Sequence, residues 1–200
     1  MGMPAPSPIL PDRSRRDWTV EQLHALPDDG NRYEIVDGAL LVTPAPSWLH
    51  QGAVGELYVL LSEYARRHGL HCVMAPADVA FSRTSVVEPD VFVTRRRIDG
   101  AIPRDFDDVR HLVLAVEVLS PSSMRADRHV KRRLYQREGV EEYWIVDTAH
   151  RVVERWRARD EDPEVLGASL AWAPREGAEP LVLDLVGYFL RVHGDEGVAP

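Results

Sequence analysis

Glu88-Pro89-Asp90-Val91-Phe92-Val93, then Leu112-Val113-Leu114-Ala115-Val116-Glu117-Val118-Leu119, then Arg125 to Glu138 with Lys131 inside it, form the stretch whose reading decides the fold. The first run opens on an acid and continues with β-branched and aromatic residues, the composition of a strand. The second is an apolar strand with one carboxylate in it, and alternation places Glu117 on one face with Val113 and Ala115. The third has helical spacing. Ala126, Val130 and Leu134 recur every four residues as a narrow packing stripe, and Asp127, Lys131 and Tyr135 form a second row beside it. Lys131 is therefore expected at the edge of the buried face, near the sheet.

A carboxylate in so apolar a strand must be paired, metal-bound or neutralised, because burying a lone charge is costly. If the strands of Asp90 and Glu117 are neighbours, the two acids share a site. Two such oxygens suit Mg²⁺ or Mn²⁺, which take few protein carboxylates and keep water ligands. Lys131 would then orient an attacking water or stabilise charge developing on a phosphate. The alternative is structural: a salt bridge from Glu117 to Lys131 or to an arginine, since ion-pair networks also perturb buried acids. The residues alone leave the two readings open. Lys131 is the only lysine among 24 Lys+Arg. A lysine in a chain so biased to arginine suggests a position where a planar guanidinium does not serve, either through compactness or through a pKa that can be lowered. Chance is the competing explanation.

The rest of the chain is read outward from this stretch. Thr19 and Gln22 have capping-box spacing for a short helix ending near Pro27. Asp37-Gly38 between Arg32–Val36 and Ala39–Val42 is a hairpin signal. Glu34, on the first of these strands, is by position alone expected to face water. Ser47 can cap the longest helix, Ser47 to His68, whose stripe is Ala53, Leu57, Leu60, Leu61 and Tyr64. His50 in its first turn reads as a surface or capping residue. Strand-like runs follow at 70–74, 78–81, 142–147, 151–156 and 165–172, and residues 181–190 close the fold. Interleaved strands and helices predict an α/β or α+β fold with a mixed sheet flanked by helices. Residues 18–190 are read as one domain, 1–17 as a flexible arm and 191–200 as a frayed tail.

Composition sets bounds. A hydrophobic fraction of 44% and a charged fraction of 28% are those of a globular protein. The single cysteine, Cys72, excludes an intrachain disulfide and suits a reducing compartment. No apolar run approaches the roughly 20 residues needed to span a bilayer, and no secretory signal is visible, so a cytoplasmic protein without membrane contact is expected. The net charge of −8 argues against a protein that coats nucleic acid. Arginines at 95–97, 125, 128, 132, 133 and 137 could still form a local basic rim.

The ordered set Tyr33-Glu34-Ile35-Val36-Asp37-Gly38, His50, Glu88-Pro89-Asp90-Val91, Glu117-Val118-Leu119-Ser120-Pro121-Ser122, Asp127, Lys131, Tyr135 and Gly139 to Asp147 resembles the Uma2 family, inferred endonucleases of the PD-(D/E)XK restriction-endonuclease-like superfamily. The resemblance spans about residues 18–190. It implies an αβββαβ core with an added N-terminal β-hairpin and a Mg²⁺- or Mn²⁺-dependent phosphodiesterase site acting on DNA. Asp90 and Glu117 match the two metal-binding acids, and Glu34 and His50 match further site positions. Asp127 and Tyr135 take supporting roles. The usual lysine two residues after the second acid is replaced by Leu119, and Lys131 matches branches in which that lysine has moved to the next helix. A homodimer is implied by the habit of the superfamily. The alternatives are a non-catalytic nucleic-acid- or protein-binding regulatory module on the same fold, or a hydrolase of another phosphate ester.

Overall fold

The computed structural model describes residues 11–195. Residues 1–10 of the expected arm and 196–200 of the expected tail lie outside the described residues. Helix α1 is Val20–Leu23 and opens on the expected capping box of Thr19 and Gln22, in which the Thr19 N–H donates to Gln22 Oε1 at 3.1 Å. Strands β1, Arg32–Val36, and β2, Ala39–Thr43, are joined by Asp37 and Gly38 at φ of 51° and 75°. Both turn residues are left-handed, as a two-residue hairpin of this hand requires.

Helix α2, Trp48–Arg67, is capped by Ser47, whose Oγ accepts the His50 N–H at 3.2 Å. It is followed by β3, Leu70–Met74; β4, Val79–Ser82; β5, Ser85–Val87; and β6, Val91–Arg95. A 3₁₀ turn, Phe106–Asp108, leads to β7, Leu112–Val118. A π-helical turn, Ala126–Lys131, runs directly into α3, Arg132–Arg137. Then come β8, Glu142–Asp147; β9, Val152–Arg157; β10, Glu164–Leu166; β11, Ser169–Trp172; β12, Leu181–Asp184; and α4, Leu185–His193.

The expected αβββαβ core is α2, β3, β6, β7, the π turn with α3, and β8, with β4 and β5 inserted after β3. These strands lie in a six-stranded sheet of order β10-β9-β8-β7-β6-β3. β7 and β8 run parallel and the other described neighbours antiparallel, so the sheet is mixed. The parallel pair needs a crossover, and the π turn with α3 supplies it. The hairpin β1–β2 belongs to a second sheet of order β2-β1-β5-β4.

Burial follows from this layering. β7 is central, with neighbours on both sides and cover on both faces, so all seven of its residues are buried. One face carries α2 and α4, which pack Leu57, Leu61, Tyr188 and Phe189 onto Leu114, Val116 and Val118. Each fully buried leucine of this kind contributes roughly 1.5–3 kcal/mol. The other face carries α3 and the second sheet, with Leu134 and Tyr135 against Ala115 and Ile145.

Three local expectations are corrected. Val113 packs with the α2 side rather than sharing the Glu117 face, because the β6–β7 register shifts between Val93 and Thr94. The run 165–172 is two strands in different sheets, broken at Gly167. Residues 191–193 belong to α4 instead of a frayed tail, with Arg191 Nε bonded to Glu56 Oε2 at 2.9 Å and His193 Nε2 against the Thr148 carbonyl. Among the described residues no helix is long and apolar enough to cross a membrane.

Candidate active site

Antiparallel register builds the centre of the site. Val91 of β6 stands opposite Val116 of β7, which brings Asp90 level with Glu117. The Val118 N–H donates to Asp90 Oδ2 at 2.8 Å. Arg32 Nη1 bonds Asp90 Oδ1 at 2.9 Å, and His50 Nε2 lies 3.1 Å from Oδ2. Asp90 is thus gripped by groups from β1, α2 and β7. Burial pushes its carboxyl up, but the His50 ring, the Arg32 guanidinium and the Val118 N–H outweigh burial and hold it down to about 2.

Lys131 is the second centre, at only 2% exposure. Its Nζ lies 2.7 Å from Glu34 Oε1, 2.9 Å from Glu117 Oε1 and 3.6 Å from Asp127 Oδ1. The Tyr135 hydroxyl donates to the same Glu117 oxygen at 3.0 Å. Glu34 also accepts the Glu88 N–H at 2.8 Å. Burial alone would lower the Lys131 pKa, yet Glu117, Glu34 and Asp127 outweigh it and hold the ammonium well above its usual range. The lowered pKa that the sequence left open is therefore not what distinguishes this lysine. Its slender reach into a closed cluster is. Glu117 goes the other way: burial drives its carboxyl well above the usual range, with Lys131 opposing and Asp127, Asp90 and Glu34 adding to the rise. Burial likewise lifts Asp127 to about 6 despite the pull of Lys131.

The structure brings together every residue singled out from the sequence, in two adjoining groups. Asp90 and His50 form one; Glu34, Glu117, Asp127, Lys131 and Tyr135 form the other. Glu34 corrects the positional expectation of a water-facing strand glutamate, being 2% exposed. His50 is buried rather than a surface residue. Lys131 is not at the edge of the buried face. The row Asp127, Lys131, Tyr135 is the buried row, whereas Ala126 and Val130 are only partly covered. The π turn accounts for the difference: the Arg132 N–H bonds the Asp127 carbonyl, five residues back, and this rotates the helix away from α-helical spacing. Arg32 was missed. It lies two residues before Glu34 on the same strand, and the period of two that places side chains on one face was the available signal.

A cleft of about 260 Å³ opens onto both groups, lined by Asp90, Glu117, His50, Lys131 and, at its rim, Ser120 to Ser123. Four buried acids here (Glu34, Asp90, Glu117, Asp127) stand beside two permanent cations, Lys131 and Arg32, so the acids outnumber the cations. Neither oxygen of Asp127 has a hydrogen-bond partner among the described residues. Carboxyl oxygens in excess of cations are hard donors that fit Mg²⁺ or Mn²⁺, which accept one or two protein carboxylates and complete their shells with other oxygens. Among the described residues no three His, Cys, Asp or Glu side chains converge as a closed ligand set. The remaining positions of such an ion would fall to water or substrate.

No curated protein matches the chain. The fold is similar to a crystal structure of "a putative nuclease belonging to DUF820" from Anabaena variabilis ATCC 29413, with a TM-score of 0.72 at 17% identity, over 88% of this chain and 99% of that one. That likeness shows the shared fold on which the two acids and the lysine are mounted. Residues 20–184, which hold the whole of both groups, match the model of the Uma2 family, described as "Putative restriction endonuclease", and the chain belongs to that family.

Proposed function

We propose that this protein is a divalent-metal-dependent endonuclease that hydrolyses phosphodiester bonds in DNA. The observation that carries the reading is the sole lysine buried among three carboxylates at the floor of a cleft that Asp90 also lines. The family description and the DNA-cleaving class it names support it.

In this reading Asp90 and Glu117 would hold Mg²⁺ or Mn²⁺. Such an ion would supply Lewis acidity towards a phosphoryl oxygen and towards the attacking water. Lys131, held as an ammonium, donates to the attacking water or to the phosphate oxygen gaining charge. The water oxygen bonds to phosphorus as one P–O ester bond breaks, and the proton passes to the leaving oxygen. Tyr135 and Glu34 keep Glu117 and Lys131 in place, and Arg32 and His50 do the same for Asp90. The rest of the network fixes geometry in advance, so little reorganisation is left for the reaction.

A second reading has its own observation. Both oxygens of Asp90 are already engaged, and Lys131 already joins Glu34 to Glu117, so the network is nearly closed without an ion. That arrangement suits a non-catalytic binding or regulatory module. Calorimetric titration with Mn²⁺ separates the two. Saturable binding that Asp90→Ala abolishes, together with Mn²⁺-dependent cleavage of plasmid DNA lost in the same variant, is the expected result. Folded wild-type protein that takes up no Mn²⁺ would sink the nuclease reading.

A further inference from the structure

The six-stranded sheet has two edges, and they differ. The β10 edge is guarded: it is three residues long, opens on Glu164 directly after Pro163, and is followed by Gly167. Short length, charge and proline are the usual means of keeping a sheet edge from pairing. β3, at the other edge, has none of them. It is Leu70-His71-Cys72-Val73-Met74, five residues without an acid, a lysine, an arginine or a proline.

Its outer side is also open in hydrogen bonding. β3 pairs antiparallel with β6, Met74 opposite Val91, and the Ala75 N–H donates to the Asp90 carbonyl at 3.1 Å. Hydrogen-bonded and non-hydrogen-bonded pairs alternate along such a ladder. His71 and Val73 therefore turn their N–H groups to β6, and Cys72 and Met74 turn theirs away from it. Among the described residues no backbone carbonyl outside the ladder accepts from Cys72 or Met74. Met74 is 43% exposed.

Charge is ordered along this edge. The exposed Arg66 and Arg67 lead into the strand through His68 and Gly69, and Arg96 lies near His71. At the far end Asp78 lines a cavity with Val73 and Ala77, and Glu88 lies near Asp78. The pair of Asp78 with His24 is a surface one and leaves the acid exposed. The entry of the strand is thus basic and its exit acidic. An arbitrary extended peptide has no reason to match that order. A second copy of this chain matches it without further design: a two-fold axis sets the two β3 strands antiparallel, and the basic entry of each meets the acidic exit of the other. A contact related by such an axis is self-complementary.

We propose that the chain forms a two-fold homodimer through β3, in which the Cys72 and Met74 N–H groups of each copy donate to carbonyls of the other and the two six-stranded sheets join into one. The Ala75 bond puts this contact one strand away from Asp90, so the docked copy braces the strand pair whose end carries that acid. The contact is independent of the nuclease reading.

Sedimentation equilibrium and amide hydrogen exchange test it. Wild-type protein at about 100 µM is expected to be a dimer with the Cys72 and Met74 amides protected, and dilution should release both amides together. In Met74→Lys, which places a guarding charge on the edge, the dimer Kd should rise at least about tenfold with the circular dichroism unchanged. Arg96→Asp and Asp78→Arg should each weaken the dimer, and the two combined should recover most of the loss, because the opposed charges are then exchanged across the axis. A monomer at that concentration, a dimer untouched by Met74→Lys, or a combined variant no tighter than the weaker single one overturns the proposal. If Met74→Lys does not fold, wild-type exchange decides: protection that grows with concentration upholds the contact, and amides that exchange at one rate throughout end it.

Discussion

Replacing Asp127 by Asn is expected to stabilise the protein at about pH 8 and to leave it nearly unchanged at about pH 4. The reason is the sign of one titration. Burial lifts the folded-state Asp127 carboxyl from 3.8 to about 6, with Lys131 pulling it only partway back. The folded protein thus holds this proton more tightly than the unfolded chain does. The associated stability is fully present below pH 3.8 and is lost as pH rises through about 6. At about 1.4 kcal/mol per pH unit the complete loss is about 3 kcal/mol. Asn mimics the protonated acid but brings an amide NH₂ that finds Lys131 rather than an acceptor, so a gain of about 1–3 kcal/mol is expected. Asp90→Asn is the internal control, because its sign is reversed. Asp90 is held at about 2, below 3.8, so it contributes stability above pH 3.8 that disappears as pH falls through about 2. That variant should lose about 2 kcal/mol at neutral pH and nearly as much at about pH 4, since the loss fades only as pH falls towards about 2. Urea unfolding of the three proteins in chelator, from about pH 4 to about pH 8, measures both. A loss of stability in Asp127→Asn that is equally large at both ends would refute the reasoning, since it would mean that attraction to Lys131, not burial, governs Asp127.

Lys131→Met should cost about 3–5 kcal/mol at neutral pH by leaving its carboxylates uncompensated, and Glu117→Gln added to it should recover part of this in a double-mutant cycle followed by denaturation. For that reason cleavage by Lys131 variants is meaningful only beside a circular-dichroism check that they are folded. Mg²⁺ at a hundredfold excess over its Kd should raise wild-type stability by about 2.7 kcal/mol and leave Asp90→Ala unmoved in a thermal melt. Gly38→Ala should destabilise by more than about 1 kcal/mol in the same melt: φ is +75° there, and an added Cβ would run into the Arg16 carbonyl.

How much of this was legible in the sequence depends on whether the cause was local. The Asp37-Gly38 hairpin, the Ser47 cap and the stripe of α2 were legible because turn chemistry and periodicity act over a few residues. Interleaved strands and helices were legible for the same reason, whereas the αβββαβ core was implied by the family blocks, which also carried Glu34 and His50 to the site against the expectation from position alone. The face of Lys131 was not legible. The π turn that rotates it leaves no compositional mark, and i, i+4 spacing then pointed to the apolar row. Nor was the place of Val113, since it depends on a register shift set by the partner strand. Arg32 shows the remaining gap: its role appears only when a second sheet is laid over the first.

That second sheet explains why the lysine stands on the helix. A side chain at 119 packs among Ala115, Leu134 and Ile145, and Leu119 fills that space. A lysine there could meet Glu117 but would come from the same strand. From the π turn, Lys131 reaches Glu117 on β7 and Glu34 on β1 at once, at 2.9 and 2.7 Å. It therefore ties the hairpin sheet to the core through the site itself. Arg32 repeats the pattern from β1 to Asp90. The exposed pair of Arg137 with Asp37 adds a third link between α3 and the hairpin turn, though such a surface pair contributes little. The hairpin sheet thus supplies one acid and one cation to the cluster. Without it, Lys131 would keep Glu117 and Asp127, and Asp90 would lose Arg32. It follows that the site and the docking of the two sheets form together, and a chain begun after β2 should neither bind metal nor hold Lys131 in a fixed place.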